Sequence, residues 1–253
     1  ISAEEFSALN DVSLISEDDF SVEDSIATEF DMDEFENASS SLDWRLHGAV
    51  TNVKDQKLCG SCFIMATIAS IESHLYLTTG KLHDLSVQEV LDCGGEHQSG
   101  CDGGFPYLVY HYVNSASGIS LESDYPYQSE QKECRSTIYP KIEIPDFKYF
   151  ENPSNNEVLL QAALEKFGPI VVFLDISYES FMRYSRGIYF EADCTHNTNH
   201  VALLVGYGSE IGADFWIVKN SYGEKWGEDG YIRIARNQDN HCGIGRAYYV
   251  LGK

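Results

Sequence analysis

The eight residues Gln56-Lys57-Leu58-Cys59-Gly60-Ser61-Cys62-Phe63 run straight into an apolar stretch with helical spacing. No other segment restricts the fold as strongly. Ile64, Ile68, Ile71 and Leu75 recur at helical intervals, which predicts a buried helix. Thr78, Thr79 and Gly80 supply its stop. Cys62 then falls in the first turn, where unpaired backbone N–H groups and the helix dipole favour negative charge. A thiol placed there can lose its proton near neutrality and become a nucleophile. Taken alone, Cys59-Gly60-Ser61-Cys62 could also be a redox pair or half of a zinc site. Neither fits well, since no second close pair and no βαβ pattern accompany it.

The chain has 253 residues, enough to bury a proper core as one large domain or two packed lobes. Its net charge of −23 argues against nucleic acid and anionic membrane surfaces as partners. No run of about 18 apolar residues is present, so no segment reads as a membrane span. Seven cysteines fit three disulfides plus one free thiol, as in a secreted, lysosomal or vacuolar protein. The start at Ile1 rather than Met implies that an upstream segment has been removed.

Residues 1–41 stand apart, with thirteen acidic side chains and no Lys or Arg. Such a segment cannot fold alone. It reads either as a disordered acidic leader or as a pro-segment remnant whose Phe6, Phe20, Phe30 and Phe35 dock on the body. Asn37-Ala38-Ser39 is a glycosylation sequon. The globular pattern begins at Leu42-Asp43-Trp44-Arg45. Ser86-Val87-Gln88-Glu89 predicts a capping box for a short helix reaching Cys93. A third helix is expected from Pro106 to Tyr112, and a fourth from a cap at Asn155 or Asn156 to Phe167, stopped by Gly168-Pro169. Beyond that the period changes. Ile170–Leu174, Val201–Val205, Phe215–Val218, Tyr231–Ile234 and Tyr248–Leu251 read as strands. Helices first and strands later predict an α+β fold of two segregated lobes with a cleft between them.

Gln56 lies upstream of Cys62, while Asn199-His200 and Lys219-Asn220-Ser221 follow far downstream. This order and spacing resemble the papain/cathepsin family of cysteine peptidases, of the cathepsin L type. The resemblance extends through Asp43-Trp44-Arg45, Gly100-Cys101-Asp102-Gly103-Gly104, Gly206-Tyr207-Gly208, Trp226-Gly227 and His241-Cys242-Gly243. It implies a helical left lobe mainly over 52–150 and a β-barrel-like right lobe mainly over 151–253, with 42–51 crossing over. Residues 1–41 become the distal part of a propeptide, with the mature chain beginning near Ser41 or Leu42.

By the same resemblance Cys62 is the nucleophile, held by His200 as a thiolate–imidazolium pair, and Asn220 orients the imidazole. Gln56 and the Cys62 N–H form the oxyanion hole. The nucleophile's pKa is expected near 3–4 by that analogy. Cys59 pairs with Cys101, Cys93 with Cys134 and Cys194 with Cys242. The substrate would lie along Gly103 and Gly104 as an added strand. Its specificity pocket maps to Phe105, Pro106, Phe173, Thr198, Val201 and Ala247, beside Asn199. Trp226 offers a platform on the leaving-group side, and Ala247 leaves the pocket floor uncharged. No metal or other cofactor is implied. The implied partners are peptide or protein substrates, the pro-segment itself and inhibitors of the cystatin type, acting on a monomer in a lysosomal, vacuolar or secreted, digestive setting.

Three positions depart from the family pattern. Phe63 and Tyr222 stand where Trp is usual, and Asp102 where Asn is. Two other readings stay open, a catalytically silent relative that binds or stores, and an acyl-transfer ligase on the same fold. Intact Cys62, His200, Asn220 and Gln56 speak against the first.

Overall fold

A computed structural model describes residues 39–95, 100–144, 147–152 and 156–252. The acidic segment up to residue 38, including the Asn37 sequon, lies outside the described residues. In chain order the elements are β1 (Leu42–Asp43), α1 (Cys62–Thr79), α2 (Val87–Cys93), α3 (Pro106–Ala116), β2 (Ile119–Ser120), β3 (Lys141–Ile142), β4 (Phe147–Asn152) and α4 (Glu157–Phe167). There follow β5 (Ile170–Leu174), α5 (Glu179–Met182), β6 (Ile188–Tyr189), β7 (His200–Glu210), β8 (Ala213–Lys219), β9 (Tyr231–Ala235) and β10 (Ala247–Gly252).

Every residue of α1 from Cys62 to Leu75 is buried, so this helix is enclosed on all sides rather than amphipathic. It ends at Gly80, whose φ of 73° is left-handed and whose N–H bonds the Tyr76 carbonyl. At α2 the expected capping box forms by half. Ser86 Oγ accepts from the Glu89 N–H at 2.9 Å. The Glu89 carboxylate does not reach back; it accepts from the Ser120 N–H at 2.7 Å and pairs with Lys141 at 2.9 Å. The Ser86 N–H goes to the Ser120 carbonyl instead, so the strand β2 has replaced the local partner. Asn156 caps α4, accepting from Val158 and Leu159.

The main sheet runs in the order β4-β10-β5-β7-β8-β9-β6, with β1 also paired to β7; β2 and β3 form a separate small sheet. All pairings in the main sheet are antiparallel except β6 with β9. The β lobe is thus an open sheet, with no pairing between its edge strands β4 and β6 among the described residues. Because β4 belongs to it, the lobe boundary expected at 150/151 cuts through a strand.

The sheet separates two cores. Val171, Phe173, Val201, Leu203 and Val205 face α1 and the other helices. Ile170, Val172, Leu174, Ala202 and Leu204 face the second core, with Trp216, Ile232 and α4. A bulge between Leu204 and Gly206 shifts the alternation of β7, so Tyr207 joins the second core. The three disulfides are Cys59–Cys101, Cys93–Cys134 and Cys194–Cys242. Each closes a loop of forty-odd residues, worth about 4 kcal/mol in the chain-entropy account.

A charged cluster holds α1 to its surroundings. Glu72, fully buried, accepts from Thr51 Oγ1, from the Leu85 N–H at 2.8 Å and from Lys54 Nζ at 3.0 Å. Lys219 Nζ donates to Thr51 Oγ1 at 3.0 Å, which links β8 to the same carboxylate. Burial works against the charge on Lys54, but Glu72 and Asp84 outweigh it and its pKa is raised. Burial drives Lys219 down to about 8 despite Glu72. Removing the anion would leave the buried Lys219 without its chief carboxylate partner and Lys54 with only the exposed Asp84. Glu72→Ala should therefore lower the unfolding free energy by about 3–5 kcal/mol, read from the urea midpoint.

Candidate active site

Four side chains are carried into one region by α1, by the loop before it and by the β7–β8 hairpin. In that hairpin Leu203 faces Lys219, so the first residue of β7 comes beside the residues just after β8. His200 Nε2 accordingly lies 2.8 Å from Asn220 Oδ1. The amide oxygen can only accept, so Nε2 carries the proton and Nδ1 is the nitrogen left to take another. From the other lobe α1 packs against β7. The Cys62 thiol rests against the backbone N–H groups of Val201, Phe63 and Cys62 itself. Val201 directly follows His200. Of the seven cysteines Cys62 alone is free.

Cys62 and His200 are both buried. Burial pushes the thiol up to about 11, against the pull of the three N–H groups. Burial likewise pushes the imidazole down to about 4, against the Asn220 bond. This differs from the low cysteine pKa expected from the sequence. The physical reason is desolvation: neither charge is favoured singly in so dry a setting. Tyr222 lies over the imidazole with ring centres 5.4 Å apart, and Phe181 meets it edge-on at 6.3 Å.

Gln56 is fully held. Its N–H donates to the Ser221 carbonyl at 2.8 Å, and its Oε1 accepts from Ser221 Oγ at 2.5 Å. Its Nε2 donates one proton to the Cys59 carbonyl at 3.0 Å, leaving the second available. Ser221 N–H in turn donates to Asn220 Oδ1 at 2.9 Å. Ser221 thus joins the Gln56 loop to the Asn220 side chain, a role that its place in Lys219-Asn220-Ser221 did not disclose. Gly60 passes so near Cys101 that a Cβ would lie 2.5 Å from its carbonyl oxygen. Only glycine fits there.

The expected substrate residues are not all on one face. Gly103 and Gly104 are buried. A Cβ on Gly104 would come within 2.6 Å of the Phe63 ring. Phe105 precedes α3, whose first residue is the buried Pro106. Phe173 and Val201 are paired across β5 and β7. Thr198 is half-buried against Gly243. The Asn199 side chain accepts from the Ile176 N–H at 2.9 Å and donates to Ser177 Oγ at 3.0 Å. Trp226 donates its indole N–H to the Met182 carbonyl and packs on Phe181, Tyr184 and Tyr222. Ala247, expected as a pocket floor, pairs with Val172 and packs in the second core. Directly opposed strand residues share a face, so its methyl lies on the side away from Phe173. The residue on Phe173's side is Arg246, whose guanidinium carbon is 4.8 Å from that ring's centre. No sequence pattern singled it out.

Cys194, His241 and Cys242 converge within 4.8 Å, a spacing that could suit a metal. The two cysteines are bonded to each other, which removes both thiolates from any such site. No helix among the described residues is long and apolar enough to cross a membrane.

Comparison with known proteins places this geometry in a family. Residues 38–251 match the family described as papain family cysteine protease. A cathepsin L-like peptidase of Aedes aegypti is 43% identical over 209 residues, which are 81% of this chain and 61% of that protein. Cathepsin S of Bos taurus is 41% identical over 206 residues, 81% of this chain and 62% of the relative. The chain therefore spans less than two thirds of the length of these relatives. Digestive procathepsin L 3 of Tenebrio molitor larval midgut superposes with a TM-score of 0.84 at 35% identity, over 99% of this chain and 79% of that one. For a recombinant stem bromelain precursor the TM-score is 0.87 at 33% identity, over 100% and 80%. The agreement runs through the whole described body, and the chain belongs to the papain family of cysteine proteases.

Proposed function

We propose that this chain is a cysteine endopeptidase in which Cys62, His200, Asn220 and Gln56 carry the reaction. The observation that carries the reading is the bond from His200 to Asn220 beside the one free cysteine. Because burial disfavours either charge alone, the charged form exists only jointly, each ion serving as the other's partner. The three N–H groups on the sulfur lower the cost of its charge, though burial outweighs them until the imidazolium is there as partner. The thiolate attacks the peptide carbonyl, whose oxygen becomes negative and accepts from the free Nε2 proton of Gln56 and the Cys62 N–H. The imidazolium gives its Nδ1 proton to the leaving amine, and a thioester remains on Cys62. A water then loses a proton to Nδ1 and attacks the thioester, releasing the acid and restoring the thiolate–imidazolium pair.

Phe105, Pro106, Phe173, Thr198 and Val201 support preference for an apolar side chain two residues before the cut. Arg246 beside Phe173 adds a charge that disfavours Lys or Arg there. Gly103 and Gly104 would pair with the substrate backbone, and Trp226 would meet its leaving side. Between Cys101 and Cys134 the chain has no long insertion with paired histidines, which supports cutting within a polypeptide. Residues 1–41 are read as the end of a propeptide, since β1 ties the chain to the body from Leu42 onward. Named relatives that are cathepsins and digestive proteinases support a lysosomal or secreted, digestive setting. Peptide substrates, the pro-segment and cystatin-type inhibitors are the partners this reading gives a monomer.

Three outcomes are expected. An epoxysuccinyl inhibitor should add one label to the parent and none to Cys62→Ala, in step with loss of internal cleavage of a denatured protein. On incubation in mild acid the parent alone should lose its leader, with a new N-terminus near Ser41 or Leu42 by sequencing; a leader kept in both would remove the zymogen reading. In Cys62→Ala the His200 ring, still buried but lacking its counter-ion, should titrate near 4 by NMR. An ordinary value of about 6.5 would show that the site is wet.

A further inference from the structure

Ser61 stands at the N-cap of α1, yet its hydroxyl makes no bond to the helix amides. A serine in this position ordinarily accepts from the second or third amide of the helix, here Phe63 or Ile64. The Ile64 N–H is taken by the Ser61 backbone carbonyl at 3.1 Å. The Phe63 N–H is one of the three that face the Cys62 sulfur. A capping Ser61 hydroxyl would therefore compete with the sulfur for that donor.

The hydroxyl is held elsewhere. Ser61 Oγ lies 2.6 Å from Tyr127 Oη. Tyr127 Oη lies 3.0 Å from the Gln56 carbonyl, which can only accept. The single phenol proton thus goes to Gln56, and the serine proton must go to the phenol oxygen. Tyr127 is itself clamped, with its N–H on the Glu122 carboxylate at 2.7 Å and its ring against the first core. Burial pushes its phenol up to about 12, so it stays a donor at any pH at which the chain would act.

We propose that Tyr127 is a positioning residue for the nucleophile. It draws the Ser61 hydroxyl off the start of α1 and so reserves the Phe63 N–H for the Cys62 sulfur. The same phenol pins the backbone of Gln56, the residue read above as an oxyanion donor. The inference rests on Cys62 being the nucleophile, and it is tested on the sulfur rather than on peptide cleavage.

The experiment is the pH dependence of Cys62 alkylation by iodoacetamide, followed by intact mass on the full chain. In Tyr127→Phe the freed Ser61 hydroxyl should turn to the Phe63 N–H. The alkylation midpoint should then rise by about half to one pH unit, which is roughly a three- to tenfold slower rate on the acid limb. The double variant Tyr127→Phe/Ser61→Ala has no hydroxyl to compete and should return to the parent profile. A Tyr127→Phe profile that overlays the parent would overturn the proposal, as would a double variant displaced as far as the single one. Should Tyr127→Phe not fold, Ser61→Ala decides alone. It should leave the midpoint in place, whereas a downward move would show that the hydroxyl had been competing already. A chain that alkylates on the expected profile but cleaves no protein would overturn the proposed function and leave this inference standing.

Discussion

α1 packs against β7, with Cys62 at its start beside the Val201 backbone, and the remaining geometry depends on that contact. The helix is buried on every side, so packing rather than any local bond sets its axis. The strand is equally fixed, with β5 along its first half, β1 along its second and β8 on its other edge. Two rigid elements from different lobes therefore present their leading ends to each other. Side chains placed on such ends, here Cys62 and His200, inherit that precision. Ser221 adds a second connection, because its bonds reach both Gln56 and Asn220.

Dryness is the other side of this arrangement. A site excluded from water strengthens whatever electrostatic interactions remain, yet it raises the cost of creating any charge. The chain manages that conflict with partners rather than with solvent. Backbone amides face the sulfur, an amide oxygen faces the imidazole, and Glu72 serves two lysines further along the same helix. The fixed donors around Cys62 need no reorganisation when charge develops there, which is the advantage a preorganised site has over bulk water.

The parts legible in the sequence are those with a local cause. Periodicity and a left-handed Gly80 mark α1, Asn156 marks α4, and the apolar run Ile170–Leu174 is β5 to the residue. Elements whose partners are distant left no such trace: β1, β2, β3 and β6 are two residues each and exist only through pairing. The continuation of β7 past Val205 is hidden because Gly206 and Gly208 interrupt the apolar run. Gly206 is there because the Leu42 carbonyl of β1 lies where a Cβ would sit, and Gly208 because the Phe215 ring does. At the site, chain order and spacing pointed to Cys62, His200, Asn220 and Gln56 through a family resemblance. Protonation was not legible, since it depends on burial, and neither were Tyr127 and Arg246, whose contacts join distant stretches of chain.

The bulge in β7 bears on how this chain can change. Strand side chains alternate, so the face each one serves is a matter of odd or even count from a reference point. In β7 the count is reset at Leu204/Gly206, so the half that begins with His200 and the half that meets β1 obey opposite parity. Val205 is the extra residue, and its loss would leave Leu204 opposite Val218 and Gly206 opposite Ile217, a regular ladder with both halves on their present faces. Only its side chain in the first core and the local bend would go. A residue gained or lost elsewhere in β7 has no such outlet: either Tyr207 would leave the second core, or His200 would leave its place beside Asn220. The bulge is thus where this strand can change length without turning a face over.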